Sequence, residues 1–278
     1  MIWILGIITV IIILILVWFN ISYSPVKAEF KKYIHEELKN SKTLNKNFTE
    51  EDISNLPIPV QKYFRYCGYI GKPKMANMKI YFKDVDFLQA SRKLKIEYTL
   101  YSFVNKPTRF ALINTSLMGI PFEGIDSYKD GVGGMKGQIA KIITLFDERG
   151  KAMDKACLAT YLSEGLIIPN VALQDFVTWE SIDENHAKAT ITYYGIEASG
   201  IFTFDDNGCM TSYTTEDREY NDGKGNSRIE KWSAVCRGYK DVNGIKYPTV
   251  LQGVWHLAAG DLVYFDGNDM KIEYDVRK

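Results

Sequence analysis

The chain has 278 residues, with 34 basic and 34 acidic side chains, and its formal charge is zero. Apolar residues make up 46 % of it and aromatic residues 13 %, which excludes a disordered chain. Basic and acidic residues are interspersed throughout, so no basic stripe of the kind that binds nucleic acid is present.

The N-terminus carries an apolar run, residues 2–19, with the sequence IWILGIITVIIILILVWF. At about 1.5 Å per residue, a helix over this run reaches about 27 Å and nearly spans a hydrocarbon core. Trp3 and Trp18 lie at its two ends, where amphipathic rings prefer the headgroup layer. A cleaved signal peptide is the alternative, but the run exceeds the usual apolar region and no Lys or Arg precedes it. The sequence therefore predicts a single-pass transmembrane anchor over residues 1–23.

The side of the membrane on which the body lies stays undecided. Basic residues follow the apolar run and none precedes it, which favours a cytoplasmic body under the positive-inside rule: Lys27, Lys31, Lys32 and Lys39. Four cysteines show no metal-type or redox-type spacing: Cys67, Cys157, Cys209 and Cys236. They are compatible with four reduced, buried thiols or with two disulfides in an exported body.

Residues 24–48 form a juxtamembrane segment. Ser24 and Pro25 are typical of a helix start, as an N-cap followed by proline. Apolar side chains then recur at helical spacing: Val26, Phe30, Tyr33, Ile34 and Leu38. This pattern predicts an amphipathic helix that lies on the bilayer surface, docks on the body or forms a solvated stalk, and its mixed charges favour docking or a stalk. A polar linker follows it.

Residues 49–278 are predicted to form one β-rich domain. Thr49 with Asp52 indicates a short capped helix, and Pro59 begins a second one that ends at Gly68. From Met75 the apolar period becomes two, interrupted by a short helical stretch around Leu158. Strands are predicted near 75–82, 94–101, 108–115, 122–131, 135–146, 176–183, 187–194, 196–204, 209–217, 228–239, 245–257 and 262–275.

The connections between these strands are short and rich in turn residues, for instance Asn207-Gly208 and Asn243-Gly244. Sequential strands with short turns pair antiparallel, because a parallel pair needs a crossover of a dozen residues. The predicted fold class is mainly β with helices (α+β). It is a strongly curved antiparallel sheet, or half-barrel, that wraps short helices.

Residues 56–65 read LPIPVQKYFR, which resembles the LPxPVxRYxR opening of a bacterial domain-of-unknown-function family. Lys62 replaces the family's arginine. Later segments agree with the family in the same order: Trp179–Asp183, Phe202–Asp205, Trp232, Tyr239, Gly244–Pro248, Trp255 and Ile272–Tyr274. The resemblance covers about residues 50–276.

Members of that family resemble the lipoprotein-carrier half-barrels of the LolA/LolB type. In those carriers a curved antiparallel sheet wraps an apolar concave face and helices cover it. The resemblance implies a cavity for a lipid or another apolar ligand. It implies no catalytic residues, and fold alone does not establish function.

The sequence contains no pattern that indicates a catalytic, metal or cofactor site. His35, His186 and His256 are far apart and match no metal-ligand spacing. The glycine-rich residues 131–137 lack the Gly-Lys-Ser/Thr of a phosphate loop, and no G-x-S-x-G motif is present. Carboxylates are frequent but concentrate at strand ends and turns. We therefore expect no metal and no cofactor, and whether the protein is an enzyme stays open.

Aromatic residues are the feature that points to binding, since tyrosine and tryptophan often line ligand cavities. Four of them on the last long hairpins are the candidate ligand-binding residues: Trp232, Tyr247, Trp255 and Tyr264. The leading hypothesis is a membrane-anchored protein that holds a lipid or other apolar ligand in the concave face. The alternatives are a carboxylate-based enzyme that uses the same cavity and a structural envelope scaffold with no cavity.

Overall fold

The computed structural model describes residues 2–42, 44–89 and 92–277. Its helices are α1 (Ile2–Asn20), α2 (Pro25–Asn40), α3 (Glu50–Ile53), α4 (Ile58–Tyr66) and α5 (Lys151–Ser163), and a 3₁₀ segment covers Pro169–Leu173. The predicted helix starts are confirmed. The Ser24 hydroxyl accepts a hydrogen bond from the Lys27 amide, and Thr49 and Asp52 form a reciprocal capping box.

Sixteen strands follow α4 in the described part of the chain. The first six are β1 (Asn77–Gln89), β2 (Arg92–Phe103), β3 (Thr108–Leu117), β4 (Ile120–Lys129), β5 (Val132–Ile139) and β6 (Ile143–Glu148). After α5 come β7 (Val177–Ser181), β8 (His186–Tyr193), β9 (Ile196–Phe204), β10 (Met210–Thr215), β11 (Glu219–Asn221) and β12 (Ser227–Ile229). The last four are β13 (Trp232–Val242), β14 (Ile245–Leu257), β15 (Gly260–Gly267) and β16 (Lys271–Tyr274).

Fourteen strands form one antiparallel sheet, in the order β6-β5-β4-β3-β2-β1-β15-β14-β13-β10-β9-β8-β7, with β16 beside β1. Strand β1 joins the two halves of the sheet. Its residues 85–87 pair with β15 and its residues 78–81 pair with β16, on either side of a bulge after Phe82. The C-terminal strands therefore close onto the first strand of the domain, and β6 and β7 are left as the two edges.

The sheet curls around α5. This helix contacts β4 and β5 from one half of the sheet and β8 and β9 from the other. The curl also brings two turns together, since the Tyr194 hydroxyl lies 3.4 Å from the Asp130 carboxylate. The predicted fold class, a curved antiparallel sheet around short helices, is confirmed.

The two faces of the sheet pack against different helices. On β3, Ala111 belongs to the main core inside the curl, whereas the neighbouring Phe110 points to the opposite face. There it meets the apolar stripe of α2, which includes Val26, Phe30 and Ile34. The amphipathic helix therefore docks on the body. Alternate residues of a strand point to opposite faces of the sheet, and the helical period places the apolar side chains of α2 on the one face that meets it.

Three predicted strands are divided in the structure, and one of them, residues 228–239, contains the end of β12 and most of β13. Residues 135–146 contain the end of β5, a turn, and β6. The turn uses Ala140 and Lys141 in the left-handed region, with φ of 56° and 65°. Neither is a usual residue for that conformation, so the turn has no sequence signal. Residues 262–275 are likewise divided, with Asp269 at a φ of 58° between β15 and β16.

All four cysteines are free thiols, which agrees with the first of the two interpretations of their spacing. Three of them are buried, and Cys209 is half-buried. Burial raises the pKa of the Cys157 thiol to about 12. The three buried cysteines are therefore inert side chains of the core rather than reactive groups.

Helix α1 stays outside the core, since none of its residues is buried in the body. Within the described residues it lies in the one helical stretch long and apolar enough to cross a membrane, a property that a signal sequence shares. Its C-terminal end contacts the turn between β5 and β6. The Trp18 indole N–H donates to the Ala140 carbonyl oxygen at 3.0 Å.

Candidate ligand-binding site

A cavity of about 220 Å³ lies between α5 and the inner face of the sheet. Its walls come from both halves of the sheet. They are mainly apolar: Phe87, Ile113, Met135, Leu251 and Phe265. Larger depressions occur on the outer surface, including one of about 560 Å³ between α2 and β1 to β3. Charged groups converge on the inner cavity from both halves of the sheet.

Arg109 forms the first polar wall of the cavity. It lies on β3 at an inward position, and its side chain is 1 % exposed. Its Nη1 donates to Asp126 at 2.7 Å, its Nε to Glu164 at 3.2 Å and its Nη2 to the Tyr98 hydroxyl at 3.2 Å. One guanidinium thus ties together β2, β4 and the C-terminal end of α5.

The carboxylates beside Arg109 share its charge. Burial opposes ionisation of the guanidinium, but Asp126 and Glu164 outweigh it and hold the Arg109 pKa well above its usual value. Burial raises the pKa of Glu164, while Arg109 and the Ser102 hydroxyl, which donates to it at 2.9 Å, lower it. The net result for Glu164 is a raised pKa. This wall is a closed network in which each charge has a partner.

Arg218 forms the second polar wall and is bound differently. It lies between β10 and β11, and its Nη1 donates to the Thr160 hydroxyl at 3.0 Å. Its guanidinium carbon lies 4.2 Å from the centre of the Trp232 ring and 5.5 Å from that of Trp255, a cation–π arrangement. Its Nε is buried and has no hydrogen-bond partner among the described residues. A buried donor without a partner is costly, so a ligand acceptor there would be stabilising.

An aromatic cluster continues from Arg218 along the cavity. The Trp232 indole N–H donates to the Tyr264 hydroxyl at 3.2 Å. Trp255 lies 6.3 Å from Tyr264 and 5.4 Å from Tyr220, centre to centre. Together these rings form a rigid apolar wall next to a cation, which suits a ligand with one apolar and one polar end.

The structure separates the four residues proposed from sequence. Trp232 and Tyr264 line the cavity. Trp255 lies directly behind them against Arg218 and Tyr264. Tyr247 is buried in the main core and does not line the cavity. It lies near the start of β14, whereas the cavity meets this strand at Leu251–Gly253. Ligand binding by any of the four stays a prediction.

Sequence reasoning missed the arginines. Arg109 had a usable signal, because it lies two and four residues before Ala111 and Ile113, the inward-facing positions of β3. Arg218 had none, because it lies in a connection whose path depends on the curl of the sheet.

A Ser–His–Asp chain lies on the outer face of the last strands. The Ser233 hydroxyl is 2.8 Å from His256 Nε2, and His256 Nδ1 is 2.7 Å from Asp261. Catalysis by such a chain requires an accessible hydroxyl and an oxyanion site beside it. Ser233 is only 4 % exposed, and its hydroxyl also bonds Thr214 at 2.8 Å. The arrangement is a cross-strand hydrogen-bond chain.

No group of three or more His, Cys, Asp or Glu side chains in the described parts of the chain is arranged to hold a metal ion. The site therefore consists of an apolar pocket, a closed ion-pair network and one arginine with a free donor.

The fold and the cavity define a class of protein, a curled antiparallel sheet that encloses a small, mainly apolar pocket. The chain belongs to a family of unknown function, DUF6544, whose model matches residues 46–267. No protein with curated annotation matches the chain.

Several solved structures are similar. A LolA superfamily protein from Nitrosomonas europaea has 12 % identity and a TM-score of 0.37, over 76 % of this chain and 92 % of the other. A domain assigned to outer membrane lipoprotein sorting from Vibrio parahaemolyticus has 13 % identity and a TM-score of 0.38, over 72 % and 84 %. A DUF1329 family protein from Desulfovibrio piger has 12 % identity and a TM-score of 0.41, over 80 % and 95 %. The predicted membership of a family of unknown function is thus confirmed, and function has to be argued from the site.

Proposed function

We propose that this protein is a membrane-anchored binding protein that holds an apolar ligand with one polar end in the cavity beneath α5. The observation that carries the proposal is the unpartnered Arg218 Nε, which is buried beside Trp232 at the edge of an apolar pocket. A ligand acceptor would satisfy this donor, and the ligand's hydrocarbon would replace water along the aromatic wall.

The size of the cavity limits the ligand. Its 220 Å³ corresponds to about seven water molecules at about 30 Å³ each. Cavities for drug-sized ligands measure about 300–1,000 Å³. The cavity therefore suits a single acyl chain or part of one, rather than a whole diacyl lipid. Each methylene that it buries contributes about 0.8 kcal/mol.

The charges of the cavity indicate the polar end of the ligand. Asp126 and Glu164 already neutralise Arg109, so Arg218 is the cation left to meet a ligand. A carboxylate matches its planar donors, because arginine binds that group through two parallel hydrogen bonds. We therefore propose a fatty acid or a similar acidic amphiphile as the ligand class.

The proposed role of α1 is to keep the cavity near the membrane, where such ligands dissolve. A tether raises the effective concentration of a ligand source without any new contact. No side chain of α1 is buried in the body, which supports a membrane span over a core helix.

Binding can be tested with cis-parinaric acid, a fatty acid whose fluorescence rises in apolar surroundings. The full chain in phosphatidylcholine nanodiscs is titrated, and the signal of empty nanodiscs is subtracted. We expect saturable binding that Arg218→Met weakens about tenfold or more, since a charged hydrogen bond contributes about 1.5–3 kcal/mol. Arg65→Met, an exposed arginine paired with Glu50, is the matched control. Equal affinity of both variants would overturn the proposal, as would the absence of saturable binding.

A second candidate is a carboxylate-based enzyme, favoured by the raised pKa of Glu164 in the cavity wall. Ser102 and Arg109 donate to both oxygens of Glu164, which speaks against a free acid or base. Recovery of an added acyl ester unchanged after incubation would support binding, whereas turnover that disappears in Glu164→Gln would support the enzyme. The presence of a cavity speaks against the third alternative, a scaffold with a filled interior.

A further inference from the structure

Two neighbouring turns of the sheet expose large aliphatic side chains. Met118, in the turn between β3 and β4, is 96 % exposed, and Ile142, in the turn between β5 and β6, is 66 % exposed. We call the exposed set the turn patch: Met118, Ile120, Ile142, Ile143 and Leu145. Single exposed apolar residues are ordinary, but a contiguous group of this kind marks an interaction surface.

The hydrogen bonds of the sheet place the two turns side by side. In the β3–β4 hairpin Leu117 lies opposite Ile120, and in the β4–β5 pair Phe122 lies opposite Ile139. The Ala140 amide donates to the Pro121 carbonyl oxygen at 2.8 Å, which joins the second turn directly to the first. The turn patch is therefore one surface at one end of these strands.

The C-terminal end of α1 is held against this surface. The Trp18 indole donates to the Ala140 carbonyl oxygen, and the Lys141 ammonium donates to the carbonyl oxygens of Trp18 and Ile21 at 3.0 and 2.6 Å. Lys141 is only 3 % exposed, although lysine is rarely buried. Its charge lies at the negative end of the α1 dipole, where a cation is stabilised. The left-handed conformation of this turn thus serves to aim Lys141 at the helix end.

The position of Trp18 sets the depth of the turn patch. Tryptophan at the end of a membrane span lies in the headgroup layer, with its ring toward the hydrocarbon. A backbone carbonyl within hydrogen-bonding distance of that indole lies at the same level. From this continuity we infer that the turn patch enters the interfacial layer of the phospholipid bilayer that α1 crosses. The inference rests on the proposed membrane span.

Contact at both α1 and the turn patch would fix the body on the membrane in one orientation. A lone helix end would leave the body free to rotate. Contact through Met118 and Ile142, on turns of two different hairpins, adds attachment points that do not lie on the helix axis. The inner cavity would then keep a constant direction relative to the bilayer.

The depth of the two turns can be measured by fluorescence quenching. Met118→Cys and Ile142→Cys are each made in a Cys209→Ser background, because the other three cysteines are buried. Lys106→Cys is the matched control. It is exposed in the turn at the opposite end of β3, a strand of ten residues that spans about 30 Å. The full chain is labelled with bimane and reconstituted into phosphatidylcholine vesicles with and without doxyl-labelled acyl chains.

We expect doxyl lipids to quench the probes at residues 118 and 142 several-fold more than the probe at residue 106. Equal quenching at the three positions would overturn the inference. That result is also expected if a second copy of the chain, rather than lipid, covers the turn patch. Retention of the chain on the vesicles after an alkaline carbonate wash tests the span separately. Loss of retention would overturn the membrane span. Quenching is measured on the bound chain before the wash, so it still tests whether the turn patch contacts lipid. A chain that never binds the vesicles would overturn both.

Discussion

The two polar walls of the cavity use the same residue type in opposite ways. Arg109 is bound to two carboxylates and a tyrosine hydroxyl from three different elements. Arg218 is bound to one hydroxyl, rests on Trp232, and keeps a buried donor without a partner in the described structure. A charge whose partners are all internal stabilises architecture, whereas an unmet donor is available to a ligand.

This difference indicates how the cavity separates stability from binding. The Arg109 network connects the N-terminal half of the sheet to α5. Arg218 approaches from the C-terminal half, together with the aromatic cluster that includes Trp232. Substitutions in the two walls should therefore affect different measurements, and the predictions below test that separation.

The largest effect is expected from Arg109→Met. Removal of this guanidinium leaves Asp126 and Glu164 beside an apolar cavity without their counter-charge, and breaking a buried pair in this way costs about 3–5 kcal/mol. Urea denaturation followed by circular dichroism measures the loss. Arg65→Met, whose ion pair is exposed, should cost about 0–1 kcal/mol. Similar losses for both variants would show that the Arg109 network is not structural.

Arg218→Met should show the reverse pattern. Its affinity for cis-parinaric acid should fall about tenfold or more, while the free energy of unfolding should fall by about 1–2 kcal/mol, less than for Arg109→Met. One hydrogen bond to Thr160 and the cation–π contact with Trp232 are lost, and an unmet donor is removed. Paired titration and denaturation of the same preparation give both values. If Arg218→Met unfolds as readily as Arg109→Met, the two walls do not differ in their contribution to stability.

Glu164→Gln should change the pH dependence of stability. Because burial raises the Glu164 pKa above its ordinary value of 4.5, the folded state binds the proton more tightly than the unfolded state does. The free energy of unfolding should therefore fall as pH rises from about 4.5 through the raised pKa, and the glutamine variant should lack this part of the fall.

A pH series of denaturation midpoints measures this slope. Asp183→Asn is a control of opposite sign, since the Asn185 amide and His186 hold the Asp183 pKa below 3.8 and its stabilisation is lost as pH falls. If Glu164→Gln leaves the slope of stability against pH unchanged, Glu164 is not the group that titrates in this wall.

The smallest effect is expected from Ser233→Ala. The Ser233 hydroxyl is buried and shared between His256 and Thr214, so we expect no labelling of the native chain by a fluorophosphonate and no change in probe affinity. The hydrogen bonds lost cost about 1 kcal/mol of stability. Chymotrypsin serves as the positive control for the reagent. Labelling that disappears in Ser233→Ala would reveal a serine nucleophile and move the functional site to the outer face.

Much of the fold was predictable because it depends on local patterns. Period-two alternation and turns such as Asn243-Gly244 define hairpins without tertiary information. The Ala140-Lys141 turn was not predictable, because its left-handed conformation is stabilised by contact with α1 rather than by residue preference. The pairing of β1 with β15 joins segments far apart in the chain, and no local signal encodes it.

The cavity was predictable to a smaller extent. Trp232 and Tyr264 were proposed from their place on the last hairpins, and they do line it. Tyr247 shares that sequence pattern but lies near the start of β14, away from the cavity. The sequence could not exclude it, because the curl of the whole sheet determines which part of a strand faces the cavity. Arg218 enters the cavity through a connection, so alternation within strands gives no information about it.

Strand β6 has a consequence for handling the protein away from the membrane contact that we propose. It is an edge of the sheet, with one row of backbone groups unpaired, and its first half carries Ile143 and Leu145 while its second half carries Asp147 and Glu148. Charges protect an edge against pairing with another chain, and exposed aliphatic residues promote it. The half that lacks charges is the half we place against lipid. A version of the chain without α1 therefore exposes an aggregation-prone edge strand to water. We expect this version to associate edge to edge and aggregate, and we expect Leu145→Lys to prevent it.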